Sequence, residues 1–303
     1  MSELSQAVLF SLTPHPLAAP LVSQLGATPG DLSQRRFPDG ESYLRVNTDV
    51  SNRHCVVLAD LAHPDAKFLP LVFLADTLRE LGAASVGLIA PYLPYMRQDR
   101  RFADGEALTS RLFSGMVSQH LDWLVTMDPH LHRYASLDEI YSIPSCVVQG
   151  APALAQWLQG QTDLLLVGPD AESEQWVKGI AEFSGHPYII GDKHRYGDRE
   201  VQVTLPALSD YSHYTAMIID DVISSGHTIL ECIASLKAGG ISRVRCAAIH
   251  GIFADSSDIR LRDAGLEALV TCNTIAHDSN GVDIAPLLVK PVTELLEQMQ
   301  DPG

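Results

Sequence analysis

Apolar and polar positions along this chain alternate between two periods. Short runs rich in Val, Ile and Leu occur at 55–59 (CVVLA), 85–90 (SVGLIA), 123–127 (WLVTM), 164–167 (LLLV), 187–190 (PYII), 216–220 (AMIID) and 243–249 (RVRCAAI). They are too short for helices, and their near-continuous apolar character is that of strands covered on both faces. Longer stretches at 64–81, 109–120, 172–184 and 228–238 carry helical periodicity. The first stops at Gly82 and the last at Gly239 and Gly240, residues that end helices readily. The succession predicts β-α-β units and a parallel α/β architecture.

The halves of the chain also resemble each other. The unit running from Val57 through Gly82 to Ala90 overlays Ile218 through Gly240 to Ala248, with three extra residues in the first copy, and Asp60 falls on Asp221. A duplicated domain is therefore expected, with the boundary near Pro144 and Gly150 and domains at 1–147 and 148–303.

With 37 acidic against 21 basic residues, the formal charge of -16 argues against general attraction to nucleic acid or to an anionic membrane. No long uncharged apolar run and no basic, signal-like N-terminus is present, so a soluble cytoplasmic protein is expected. Five widely spaced cysteines, Cys55, Cys146, Cys232, Cys246 and Cys272, contain no C-x-x-C pair and read as reduced thiols. Any phosphate chemistry must be arranged locally.

One stretch offers that arrangement. In MIIDDVISSGHTIL, residues 217–230, an apolar strand ends in two acids, passes through a small polar loop and enters a helix. Ser225, Gly226, His227 and Thr228 would turn backbone N–H groups toward one concavity at the helix start, where the dipole favours an anion such as a monophosphate. Asp220 and Asp221 are placed to accept hydrogen bonds from sugar hydroxyls or to meet a metal ion. An ordinary βα turn with capping Ser and Thr would also read this way.

The stretch resembles the phosphoribosyl-binding motif of type I phosphoribosyltransferases and of ribose-phosphate pyrophosphokinases. FPDGE (37–41), PYLPYMRQDRRF (91–102), TSRLFS (109–114), DPHLHRY (128–134), VGPD (167–170), DKHR (192–195) and HGIF (250–253) are similar to pyrophosphokinase segments in the same order. Phosphoribosyltransferases lack the first half, so the chain is identified as a divergent member of the pyrophosphokinase family, closer to its archaeal-type branch. The resemblance implies two tandem doubly wound parallel-sheet domains of the type I phosphoribosyltransferase fold. It also implies transfer of the β,γ-diphosphoryl group of ATP to the anomeric hydroxyl of ribose 5-phosphate, with Mg2+, in a dimer-based homo-oligomer whose FPDGE loop can serve a neighbouring subunit.

Residue by residue, the resemblance assigns ATP contacts to Phe37, Asp39, Glu41, Arg97, Gln98 and Arg100, and ribose 5-phosphate contacts to Asp220, Asp221, Ser224, Ser225, Gly226, His227 and Thr228. It makes His130 and Asp170 magnesium ligands, and places Lys193 and Arg195 on a flexible loop that closes over the triphosphate as the catalytic pair. His130 and His132 would present imidazoles from an extended segment after the 123–127 strand. The active site is expected between the domains, at strand carboxyl ends. There is no Walker A sequence, so a P-loop kinase does not explain the use of ATP.

Two departures stand out. Ala171-Glu172-Ser173-Glu174 replaces small residues of the family, either weakening ATP binding or facing solvent at a helix start, and Ser224 stands where many members carry an acid. Two other readings remain: a non-catalytic regulatory subunit that binds a true synthetase, and a phosphoribosyltransferase that consumes the product.

Overall fold

The computed structural model describes residues 7–131, 133–195 and 201–300, without the side chains of residues 175, 194, 195 and 201. Contacts divide the chain into two compact units, residues 1–149 with 284–303, and residues 150–283. Each is built on a six-stranded parallel sheet.

In the first unit, β1 (Val8–Ser11), α1 (Ala18–Leu25) and β2 (Thr28–Pro29) are followed by an antiparallel hairpin, β3 (Leu32–Arg36) and β4 (Ser42–Val46). The chain then runs through β5 (His54–Leu58), α2 (Asp65–Glu80), β6 (Ser85–Ala90), α3 (Thr109–His120), β7 (Trp123–Met127) and β8 (Ser145–Val148). The sheet order is β2-β1-β5-β6-β7-β8. All residues of β5, β6 and β7 are buried, which is why their sequences read as unbroken apolar runs.

The second unit opens with α4 (Ala151–Leu158) and then repeats the plan: β9 (Leu164–Gly168), α5 (Glu174–Ser184), β10 (Tyr188–Ile190), the hairpin β11 (Asp192–Arg195) and β12 (Val201–Thr204), β13 (Thr215–Ile223), α6 (His227–Ala238), β14 (Val244–Gly251), α7 (Ser257–Asp263), β15 (Ala268–Cys272) and β16 (Asn280–Val282). Its order, β10-β9-β13-β14-β15-β16, matches the first sheet strand for strand. The helices match as well: α2 buries Leu71, Leu74, Ala75 and Leu78, and α6 buries Ile229, Cys232, Ile233 and Leu236, the same i, i+3, i+4, i+7 face.

The last helix departs from the expected boundary. α8 (Ala285–Gln300) packs on α1, β7 and β8 and belongs to the first unit, so a contiguous split at 147/148 misplaces it. Leu288, Val292, Leu295 and Leu296 form its buried face, and that apolar stripe decides where it docks. None of the helices described is long and apolar enough to cross a membrane.

Candidate active site

The second sheet reverses its direction of growth between β9 and β13, because β10 lies outside β9 while β14, β15 and β16 extend the other edge. Such a switch point opens a crevice at the carboxyl ends of the strands. Asp170 leaves β9 there, Asp220 and Asp221 lie at the end of β13, and Lys193 comes from the hairpin strand β11. The Lys193 ammonium donates to Asp170 Oδ2 at 2.8 Å, both side chains being about 15% exposed (14% and 15%). Asp170 Oδ1 accepts from the Ser173 N–H at 3.2 Å, so this carboxylate is engaged on both oxygens.

Asp220 is the most perturbed acid. Its carboxyl lies well above the ordinary carboxylate range, first because burial disfavours the charge and then because Asp221 and Asp170 repel it, with Lys193 pulling the other way. The Asp221 N–H donates to Asp220 Oδ1 at 3.0 Å. Three carboxylates and one ammonium thus share a single electrostatic neighbourhood.

Immediately beyond, residues 224–228 form the expected turn into a helix. Gly226 caps α6 with φ 73°, a left-handed conformation, and a Cβ there would meet the Ser257 Cβ at 3.2 Å. A glycine cap has no side chain for the open N–H groups of the first helical turn, which leaves them open to water or to an anion. His227 and Thr228 open α6, and Ser224 and Ser225 are half-buried on its approach.

The structure also answers for the other assigned residues. Lys193 and Arg195, expected on a flexible loop, lie on β11, which pairs antiparallel with β12; the residues that join the two strands and the Arg195 side chain are outside the described residues. Glu172 and Glu174 are exposed at the start of α5, the solvent-facing alternative. His132 falls outside the described residues. The segment before it is not extended: Asp128 and His130 have φ of 36° and 55°, and the His130 N–H donates to Asp128 O at 2.8 Å across Pro129, making a tight turn at the end of β7.

The remaining first-unit segments are turns as well. FPDGE is the tip of the β3–β4 hairpin, where the Phe37 N–H donates to Glu41 O and the Glu41 N–H donates to Asp39 Oδ1. The Phe37 ring meets Tyr43 edge-on, with the Arg35 guanidinium 4.3 Å from its centre. Arg97 and Arg100 are exposed after β6, while Gln98 accepts from Thr109 at the start of α3. Between them Asp99 is buried and bonded to Arg133 at 2.6 Å, which ties the 97–101 turn to the 128–134 turn.

Of the two magnesium ligands that the resemblance assigns, Asp170 offers a hard carboxylate oxygen in this crevice and His130 a ring nitrogen on the turn after β7. Among the described residues no three His, Cys, Asp or Glu side chains gather into a metal-holding group. That donor set fits an ion that keeps water and substrate phosphates as most of its ligands.

Residues 7–120 match the N-terminal domain of ribose phosphate pyrophosphokinase, and residues 136–285 match the phosphoribosyl transferase domain. The ribose-phosphate pyrophosphokinase of Methanopyrus kandleri is 30% identical over 283 residues, covering 92% of this chain and 94% of that protein. This chain belongs to the ribose-phosphate pyrophosphokinase family. The enzyme of that name from Sulfurisphaera tokodaii is also 30% identical, over 84% of this chain and 89% of its own length. A solved structure, phosphoribosylpyrophosphate synthetase from Mycobacterium smegmatis, superposes with a TM-score of 0.82 over 97% of this chain and 99% of that one. At 23% identity it establishes the shared fold of two tandem parallel-sheet domains.

Sequence reasoning missed what stands behind the 224–228 turn. The Ser257 hydroxyl donates to Ser224 O at 2.6 Å, and Arg260 Nη2 donates to Ser225 O at 2.9 Å. Both come from α7, more than thirty residues downstream, where no local pattern marks them. The only signal was proximity to HGIF, whose Phe253 N–H donates to Ile223 O at 3.1 Å.

Proposed function

We propose that this protein is an ATP:ribose-5-phosphate diphosphotransferase. The observation that carries the reading is the convergence of Lys193, near the start of β11, with Asp170 and Asp220, at the carboxyl ends of β9 and β13, beside the loop 224–228. The loop would take the 5-phosphate on the N–H groups of Ser225, Gly226, His227 and Thr228, and the acids at 220 and 221 would accept from the ribose hydroxyls. That fixes the anomeric hydroxyl, which attacks the β-phosphorus of ATP in line.

As the new P–O bond forms, the bond between the bridging oxygen and the β-phosphorus breaks, the hydroxyl proton is lost and AMP departs. Negative charge builds on the bridging oxygen. Lys193, with Arg195, supplies positive charge there, which requires the lysine to exchange Asp170 for the nucleotide. Arg97, Gln98 and Arg100 hold the nucleotide's phosphates and Phe37, Asp39 and Glu41 its base, with FPDGE available to a neighbouring subunit in a homo-oligomer. Asp170 and His130 would hold Mg2+, which when bound neutralises the triphosphate.

Phosphorus NMR of protein mixed with Mg-ATP and ribose 5-phosphate is the test. Signals of AMP and of a diphosphate ester on the sugar are expected. Appearance of ADP, or no new signal from a protein that binds both substrates, would sink the reading, the latter in favour of a non-catalytic subunit.

A further inference from the structure

The loop 221–228, DVISSGHT, contains no lysine or arginine; it opens with the Asp221 carboxylate, and that of Asp220 precedes it. A phosphate dianion seated there meets a negative environment in a chain of net charge -16. Arg260 brings a full positive charge to the loop, through Nη2 on the Ser225 carbonyl at 2.9 Å. No carboxylate pairs with this arginine among the described residues, and its Nε is enclosed without a hydrogen-bond acceptor. An arginine held half-buried with its charge unmatched by any acid is costly unless something else uses the charge.

The surrounding backbone is shaped to present it. Phe253, Asp255 and Ser256 have φ of 51°, 54° and 55°, three left-handed non-glycine residues within four positions. This turn delivers Ser257, fully buried, to the Ser224 carbonyl at 2.6 Å, and Arg260 follows one helical turn later. With both carbonyls tied from behind, the N–H groups of the loop point the other way. His277, 3.7 Å from Asp258 and with its ring tilted against Phe253 at 4.4 Å between centroids, braces the same turn.

We infer that Arg260, with Ser257, is a positioning residue of the phosphate loop, which holds the loop's carbonyls away from the ligand and supplies the countercharge for the 5-phosphate of the sugar substrate. The inference rests on the reading of 224–228 as the ribose 5-phosphate site. Calorimetric titration with ribose 5-phosphate and, separately, with Mg-ATP tests it without requiring turnover. Arg260→Met is expected to weaken ribose 5-phosphate binding at least about tenfold and to leave Mg-ATP within twofold, with Arg260→Lys restoring all but about threefold. In turnover the same split should appear as a raised KM for the sugar alone. Equal binding by wild type and Arg260→Met, or equal loss for both ligands, overturns the inference. If Arg260→Met does not fold, Ser257→Ala stands in for it, with about threefold weaker sugar binding expected and no change overturning the idea. A wild type that binds Mg-ATP but not ribose 5-phosphate overturns the site reading itself, whatever the variants do.

Discussion

The two units share strand order, hairpin insertion and helix faces, yet their equivalent loops differ in chemistry. Two acids near the end of β13 lead into a short turn capped by Gly226, with no lysine or arginine within the loop. After β5, Asp60 occupies the place of Asp221, but its Oδ2 is bonded to the Lys67 ammonium at 3.0 Å and its Oδ1 accepts from the Ala62 N–H at 2.9 Å. The three extra residues of the first copy fall between Asp60 and the buried face of α2, so the turn is looser, and Pro64 precedes that helix where the second copy has glycine. Duplicated topology supplies a crevice; whether the crevice binds a sugar phosphate depends on a few loop residues.

The comparison can be broken at several points, and the largest effect is expected at Lys193. Lys193→Ala should lower turnover by about 10²–10³-fold while ribose 5-phosphate binding changes little, measured by steady-state kinetics and calorimetry. Unchanged turnover would remove the lysine from the chemistry. Gly226→Ala should come next: the forced left-handed alanine and its contact with Ser257 should cost about 1–2 kcal/mol of stability and weaken sugar binding about tenfold. In the other unit, Gly82→Ala meets only Ser51 at 3.7 Å and should leave catalysis intact.

Asp220 gives a pH-dependent test. Its raised carboxyl keeps a proton in the folded chain that the unfolded chain has lost, so stability declines as pH rises from the ordinary carboxylate range toward the raised value. Asp220→Asn removes that decline. Its melting temperature should exceed that of wild type at neutral pH, and the difference should vanish at about pH 4 and below. A constant difference across pH would show that the carboxyl titrates normally. The smallest effect belongs to Lys67→Met, which should cost roughly 1 kcal/mol or less by denaturant melting and leave turnover within about twofold. A large loss of turnover would mean that the first loop has kept a function.

Much of this was legible in the chain because parallel strands buried on both faces cannot hide. β5, β6, β7, β9, β13 and β14 are apolar runs, and α3 spans the predicted 109–120. The βαβ overlay was visible because burial imposes one spacing on α2 and α6. The hairpin β3–β4 was not legible, since its residues are mostly exposed or half-exposed and lack a clean alternation. Of the site, Asp220, Asp221 and Gly226 announce themselves through strand, acids and glycine in sequence. The Lys193–Asp170 pair and the Arg260 bond to Ser225 join residues more than twenty positions apart, which only the folded chain brings together.

The placement of α8 carries a consequence for how the molecule is made. Because the helix at 285–300 covers the apolar flank of β7, β8 and α1, the first unit cannot finish its core while the ribosome is still translating the second. The half that begins synthesis is the last to be completed, and its uncovered sheet is the surface a chaperone would have to guard in the interval.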